Sequence, residues 1–143
     1  MSARSSIANA LVDKLKTIDG TGTFQTNIFS NAFVMHKFWD ECNDFPSIYI
    51  VPGTETREYM PAAFKWGYLT ISLKCYVKGE TPVQDLENLL EDIEKVLDTN
   101  RVLVYDTNKE TTEILITSIV TDEGLLVPYG VGEVTLNVRY QVP

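Results

Sequence analysis

Residues 68–98 read YLTISLKCYVKGETPVQDLENLLEDIEKVLD, and this stretch predicts a strand followed at once by a helix. From 68 to 78 the side chains alternate between apolar and polar, which is typical of a half-buried strand. The apolar positions are Leu69, Ile71, Leu73, Cys75 and Val77. One side of the strand is therefore expected to face a core, and the other to face water or a partner.

The helix is marked both at its start and along its length. Thr81, Pro82 and Gln84 supply an N-cap residue, a proline at the first helical position and the second half of a capping box. Apolar side chains then recur at spacings of three and four, so that one side can lie on the apolar face of a sheet. The opposite side is predicted to be a solvated acidic face, formed by Asp85, Glu87, Glu91, Asp92, Glu94 and Asp98.

The composition limits the class of protein. With 143 residues, 44% of them hydrophobic and 22% charged, one domain over residues 1–143 can bury its own core. The net charge of −8 argues against nucleic-acid binding, because phosphate contacts need clustered Lys and Arg. No apolar run approaches the roughly 20 residues of a membrane span, and the N terminus lacks a signal-type stretch. A cytosolic protein with reduced Cys42 and Cys75 is expected.

The rest of the chain predicts elements laid around this strand and helix. In order they are a helix from Ser5 or Ser6 to about Gly20, an irregular stretch at 21–44 with a short strand at 33–36, a strand at 45–52 stopped by Gly53, a short strand at 102–105, a turn at 106–110, a strand at 113–121 with a bulge near Thr117 and Ser118, and a final strand at 133–142. Together they predict an α+β fold, with two helices packed on one largely antiparallel β-sheet.

The connection from Gly53 to Trp66 is predicted to be a long loop with an unusual aromatic content. Such a loop is too apolar to remain exposed to solvent, yet its length and Pro61 argue against its folding on its own. We expect it to be mobile in the isolated chain and ordered at an interface; the alternative is a loop packed back on its own sheet. The predicted interface residues are Arg57, Tyr59, Met60, Phe64 and Trp66.

Motifs for catalysis or for metal and cofactor binding are weak. His36 is the only histidine, so a Ser-His-Asp or Cys-His arrangement would depend on it. The turn at 106–110 begins like a calcium loop, but Thr111 occupies the position where such a loop needs glycine. Gly130-Val131-Gly132 opens a strand rather than a helix, so a turn is predicted there instead of a dinucleotide site. We predict no catalytic residue, no metal and no cofactor, and therefore no enzyme.

Three stretches carry a resemblance to a known family: FPSIYI at 45–50, the strand and helix at 67–97, and GEVTLNVRY at 132–140. With the order of elements, they resemble the tail terminator (tail completion) family of tailed bacteriophages over nearly the whole chain. The resemblance implies a structural virion protein, assembled in the host cytoplasm, whose hexameric ring caps the tail tube, ends tail polymerisation and offers the surface that joins the head or neck. The implied partners are further copies of the chain, the tail-tube protein and a neck or head-completion protein, with no membrane.

Other functions stay open at this point. A tail-tube or neck subunit would have a similar pattern, but a tube protein polymerises into long stacks whereas a terminator stops at a ring. A small-molecule-binding α+β domain is suggested only by the aromatic content. If a ring forms, its channel is expected to be acidic or neutral, so that DNA passes through without specific binding.

Overall fold

The chain folds into two helices on one face of a five-stranded sheet. A computed structural model describes residues 2–143. The elements are α1 (Ala3–Leu15), β1 (Ala32–Phe33), β2 (Ser47–Met60), β3 (Phe64–Lys78), α2 (Pro82–Thr99), β4 (Val104–Asp106), β5 (Lys109–Glu110), β6 (Glu113–Thr121) and β7 (Tyr129–Gln141). The sheet has the order β1-β2-β3-β7-β6, and β4 and β5 form a separate pair. Because β1 pairs with β2 in parallel and the other pairs are antiparallel, the predicted α+β fold with a largely antiparallel sheet is confirmed.

The main core lies between the two helices and one face of the sheet, here called the core face. The five apolar positions of β3 predicted to face a core are all buried there. From α2, Leu86, Leu90, Ile93 and Leu97 pack on them, as the helical spacing predicted. Burying each such side chain contributes roughly 1.5–3 kcal/mol.

The opposite face of the sheet, here called the outer face, is covered at one end. A second cluster contains Cys42, Tyr49 and Tyr76, with four partly buried apolar residues around them: Phe33, Trp39, Phe45 and Val131. The Tyr76 hydroxyl donates a 2.6 Å hydrogen bond to the backbone carbonyl of Lys37. The aromatic stretch at 33–45 therefore packs on this end, while the polar residues of β3 nearer its start stay partly exposed.

The helices differ from prediction mainly at their ends. Ser2, rather than Ser5 or Ser6, is the N-cap residue of α1 and accepts a 3.1 Å hydrogen bond from the Ser5 N–H. The helix ends at Leu15, before the predicted Gly20. Thr81 is the N-cap residue of α2 as predicted, but its hydroxyl donates to the Asp85 carboxylate at 3.2 Å, so the predicted capping box is wrong.

Two strand predictions are also corrected. The short strand expected at 33–36 is Ala32–Phe33. The turn expected at Gly130-Val131-Gly132 is part of β7, where a Cβ on Gly130 would lie 2.6 Å from Cγ2 of Val77 and 2.8 Å from the carbonyl oxygen of Pro82. The glycine thus serves the close packing of α2 on the sheet. The predicted bulge in β6 is confirmed by a register shift between Ile116 and Ser118.

One carboxylate of the predicted acidic face is buried. Asp92 has no exposed surface, and its oxygens accept hydrogen bonds from the N–H groups of Gln25, at 3.0 and 3.1 Å, and Thr26, at 2.8 Å. Lys95 lies 3.8 Å from the same carboxylate and donates to the Thr23 carbonyl at 2.8 Å. The prediction of a solvated face is therefore wrong for Asp92. This side chain instead holds Gln25 and Thr26, which lie in the segment that follows α1, against α2.

Candidate functional site

The predicted loop at 53–66 is a β-hairpin, here called the arm. β2 continues past Gly53 to Met60, and the arm pairs from Thr56 opposite Tyr68 to Met60 opposite Phe64. The register shifts between Pro52 and Glu55, so the glycine that seemed to end the strand lies in a bulge. The prediction of a long loop is wrong, because the aromatic residues in this stretch are strand residues.

A buried carboxylate fixes the base of the arm on the core face. The side chain of Glu55 is 5% exposed; Oε1 accepts a 2.5 Å hydrogen bond from the Tyr140 hydroxyl, and Oε2 lies 2.8 Å from Nε of Arg57. The Tyr140 ring lies over Gly67, where a Cβ would come within 2.8 Å of Cε1. Glycine at position 67 therefore lets the ring reach Glu55.

The charges at this base follow from the same contacts. Burial, together with the hydrogen bond to Glu55, raises the pKa of Tyr140, so the hydroxyl keeps the proton that it donates. The hydrogen bond to Glu55 also raises the pKa of Arg57. A carboxylate between a hydroxyl donor and a guanidinium is well satisfied, and such a group holds its backbone in one position.

A cation–π stack fixes the arm on the outer face. The guanidinium carbon of Arg139 lies 4.0 Å from the ring centroid of Trp66 and 5.8 Å from that of Tyr68. Phe64 packs edge-on against Trp66, with the ring centroids 4.9 Å apart. Each cation–π contact of this kind contributes about 0.5–2 kcal/mol. Because Arg139 and Tyr140 are consecutive in β7, one strand holds the arm from both faces.

The tip of the arm exposes apolar side chains on a strained turn. Tyr59 is 73% exposed and Met60 is 42% exposed. The next residues include Ala62 and Ala63, whose φ angles are +65° and +60°. A non-glycine residue in this left-handed region costs roughly 1–2 kcal/mol. Exposed apolar groups on a strained turn are typical of a binding surface rather than of a solvated loop.

The five predicted interface residues therefore lie on one arm but in two environments. Arg57, Tyr59 and Met60 reach solvent. Phe64 and Trp66 pack within the chain, through the stack with Arg139. The role of all five at an interface stays a prediction, and the first three present the most exposed surface for it, whereas Phe64 and Trp66 are partly buried.

Sequence reasoning missed Glu55, Arg139 and Tyr140. The alternation of β7 does place Arg139 on the polar side and Tyr140 on the apolar side. Their partners, however, depend on the pairing of three strands, and the hydrogen bond from Tyr140 to Glu55 spans 85 positions. The one local signal was Gly67 beside two aromatic residues, since a glycine within a strand often marks a close approach.

The other surfaces of the described residues give weaker evidence of a functional site than the arm does. A cleft of about 580 Å³ beside the arm is lined by Trp66, Val102, Tyr105, Lys109 and Gln141, among others. His36 packs edge-on against Phe38, with the ring centroids 4.5 Å apart. Within residues 2–143, no group of three or more His, Cys, Asp or Glu side chains is arranged to hold a metal ion. Over the same residues, no helix has the length and apolar character needed to span a membrane.

Known proteins match this chain along its whole length. Residues 1–143 match the family described as Bacteriophage Tail Tube Terminator Protein. The tail tube terminator protein p142 of Escherichia phage T5 is 38% identical over 155 aligned positions, which cover 100% of this chain and 96% of that protein. A chain in the virion of a native gene transfer agent particle shares the fold, with a TM-score of 0.60 at 8% identity over 98% of this chain and 95% of that one. This is a family of structural components of the virion tail, a role other than that of an enzyme, and the chain belongs to the bacteriophage tail tube terminator proteins.

Proposed function

We propose that this protein forms a six-fold ring that caps the tail tube of its phage, ends tail polymerisation and provides the surface that joins the head or neck. The arm carries this proposal, because its base is fixed on both faces while its tip presents Tyr59 and Met60 to solvent. A rigid projection of this kind fits an interface whose apolar anchors are held ready before binding.

The partners follow from the same proposal. The arm binds a neighbouring copy of the chain or the last ring of the tail-tube protein, and the other side of the ring binds a neck or head-completion protein. The channel is acidic or neutral, which the net charge of −8 supports, so DNA passes without being held. The ring needs no cofactor for this function.

Tyr59→Ala tests the proposal, because it removes an exposed side chain and should change the free energy of unfolding by no more than about 0.5 kcal/mol. We expect electron micrographs to show tails of abnormal length when this variant replaces the wild-type chain during assembly. Trp66→Ala is a poorer test, because the Trp66 ring stacks on Arg139 and its loss also affects the fold.

Val104→Ala is the matched control, since Val104 is 63% exposed on the separate β4–β5 pair. Tails should keep their normal length with this variant. A folded Tyr59→Ala, Met60→Ala double variant that still gives tails of normal length would contradict the role of the arm. Long stacks of the wild-type protein in place of rings would instead indicate a tube subunit.

A further inference from the structure

The sheet has an unprotected edge at β6. Residues 114–121 read ILITSIVT, without a charge or a proline, and Leu115 and Val120 are 44% and 61% exposed. Natural sheets protect such edges with lysine, proline or a covering element, because an open edge can pair with another chain. Among residues 2–143, β6 pairs only with β7, and no strand pairs with its other edge. This edge is therefore ready to accept a strand.

The opposite edge of the sheet is also open, along the arm. β1 pairs with β2 only at Ile48 and Tyr49, so the strand from 53 to 60 has no neighbour on that side within the described chain. The open stretches are similar in length, with 54–60 on the arm and 114–120 on β6. The two edges lie at opposite ends of one sheet and cannot pair within a protomer.

We propose that the arm of one protomer pairs along the β6 edge of the next, so that the sheet continues from subunit to subunit. This inference rests on the ring described above and names the surface that receives the arm. A contact between two different edges of the same chain is heterologous, and such a contact, repeated by a rotation that divides a full turn, gives a closed ring. The backbone hydrogen bonds of the added strand supply the binding, as in other cases of strand addition.

The direction of pairing follows from the topology. β2, β3, β7 and β6 are antiparallel in succession, so β2 and β6 run in opposite directions. Rotation about a ring axis preserves the direction of each strand relative to that axis. The arm of one protomer is therefore antiparallel to β6 of its neighbour. β1 already pairs with Ile48 and Tyr49, so β6 of the neighbour can pair with β2 only at positions nearer the tip of the arm. Neighbouring protomers are then staggered along the strand direction, and a stagger of this kind is needed to close a sheet on itself.

The faces of the two strands also fit. Glu58 lies opposite Trp66, and Val120 lies opposite Glu133, which puts both on the outer face. Tyr59 follows on the other face of the arm, and Ile119, opposite Val134, lies on the core face of β6. Continuing the sheet brings the exposed Tyr59 of one protomer toward the exposed Ile119 of the next, which covers two apolar side chains at once.

Pairs of introduced cysteines test this arrangement. Glu58→Cys combined with Ser118→Cys or Val120→Cys places both thiols on the outer face, while the native Cys42 and Cys75 are buried and do not compete. Mild oxidation under ring-forming conditions should give a ladder of linked chains that ends at the full ring. A mixture of the two single variants should stop at linked dimers, because each protomer then carries one thiol.

Glu58→Cys combined with Ile119→Cys is the mismatched control, since these two side chains lie on opposite faces of the continued sheet. It should give at least tenfold less cross-linking. Rings that form without cross-links would overturn the proposed strand pairing, and so would equal cross-linking of the matched and mismatched cysteine pairs. Either result would leave the proposal of a ring unaffected. Glu58→Cys chains linked to one another, or to the tube protein, would also overturn it. If neither rings nor capped tails form, the proposed function fails and the pairing with it.

A charged edge provides a second measurement that needs no oxidation. Val120→Lys places a charge on the β6 edge, and Val127→Lys places the same charge on the neighbouring loop at a similar exposure, 61% against 63%. Both variants should fold, as judged by circular dichroism. Only Val120→Lys should lose rings in light scattering, and a loss of rings in neither variant or in both would count against β6 as the receiving edge.

Discussion

The hydroxyl of Tyr140 donates a 2.5 Å hydrogen bond to the carboxylate of Glu55, although 85 positions separate them in the chain. The bond joins β7, the last strand in chain order, to the point where β2 continues beyond its bulge into the arm. Both side chains are almost fully buried. The direction in which the arm projects is therefore fixed by the core of the protein.

Tyr140→Phe should lower the free energy of unfolding by about 1.5–3 kcal/mol, because it removes a hydrogen bond to a charged acceptor. Urea denaturation measures the loss. Tyr105→Phe is the control, since it removes a hydroxyl from the ring that packs edge-on against Tyr140 and keeps the bond to Glu55. Equal losses in the two variants would show that the bond to Glu55 contributes nothing specific.

Asp92→Asn should lower the free energy of unfolding by roughly 1.5–3 kcal/mol, because an amide cannot accept all three backbone hydrogen bonds that the buried carboxylate receives. Hydrogen exchange should also become faster at the amides of Gln25 and Thr26. Glu91→Gln serves as the control, since the Glu91 side chain is 59% exposed on the same helix and pairs only loosely with Lys95. Unchanged exchange at Gln25 and Thr26 in Asp92→Asn would contradict this role.

Ala62→Gly and Ala63→Gly should each leave stability unchanged or raise it by up to about 1 kcal/mol, since glycine adopts a positive φ without the strain of a Cβ. The same change in a right-handed helix, Ala10→Gly in α1, should lower stability by about 1 kcal/mol. Thermal unfolding of the three variants checks the difference in sign. A loss at Ala62 or Ala63 as large as that at Ala10 would refute the strained turn.

Alkaline pH should destabilise the protein through Cys75 and Tyr76. Burial raises the pKa of Cys75 from 9.0 to about 12, and that of Tyr76 from 10.0 to about 12. The folded state then keeps protons that the unfolded state loses, so this stability is complete below pH 9 and falls as the pH rises toward 12.

For Cys75 alone the loss by pH 10 is roughly 1.4 kcal/mol. Cys75→Ala should therefore flatten the decline in the free energy of unfolding between pH 9 and pH 10, whatever its effect at neutral pH. Urea denaturation at several pH values measures this. Parallel curves for the variant and the wild type would mean that the thiol does not titrate in this way.

Duplex DNA should not bind the assembled protein at physiological ionic strength, because the chain carries a net charge of −8. Fluorescence anisotropy of labelled DNA measures this. A variant in which Glu87, Glu91 and Glu94 are changed to lysine should bind in a salt-sensitive way, which shows that the assay detects binding. Salt-sensitive binding by the wild type would contradict the proposed neutral or acidic channel.

Local periodicity predicted the parts of the fold whose burial depends on near neighbours. The alternation in β3, the apolar stripe of α2 and the bulge of β6 all appear as expected, since each follows from the repeat of a strand or a helix. The predicted ends of helices and strands were less accurate, because helix caps and strand ends depend on the packing around them.

Local sequence patterns do not predict contacts between residues that are far apart in the chain. Asp92 resembled the exposed carboxylates around it, and its partner Thr26 lies 66 positions away. Gly53 resembled a strand end, because a bulge and a stop have the same local signature. The arm was therefore recognised by its apolar content but assigned the wrong structure, and the residues that fix its base were not found.

The central ladder of the sheet also determines how the molecule bears mechanical load. All 13 residues of β7 pair with β3, from Tyr129 opposite Lys78 to Gln141 opposite Trp66. A pull along the strands is shared by every hydrogen bond of this ladder at once, whereas a pull across them would break the bonds one after another. The lifetime under force depends on the rate of unfolding rather than on equilibrium stability. Because β3 runs without interruption from the ladder into the arm, tension applied at the tip of the arm reaches the sheet in its strongest direction.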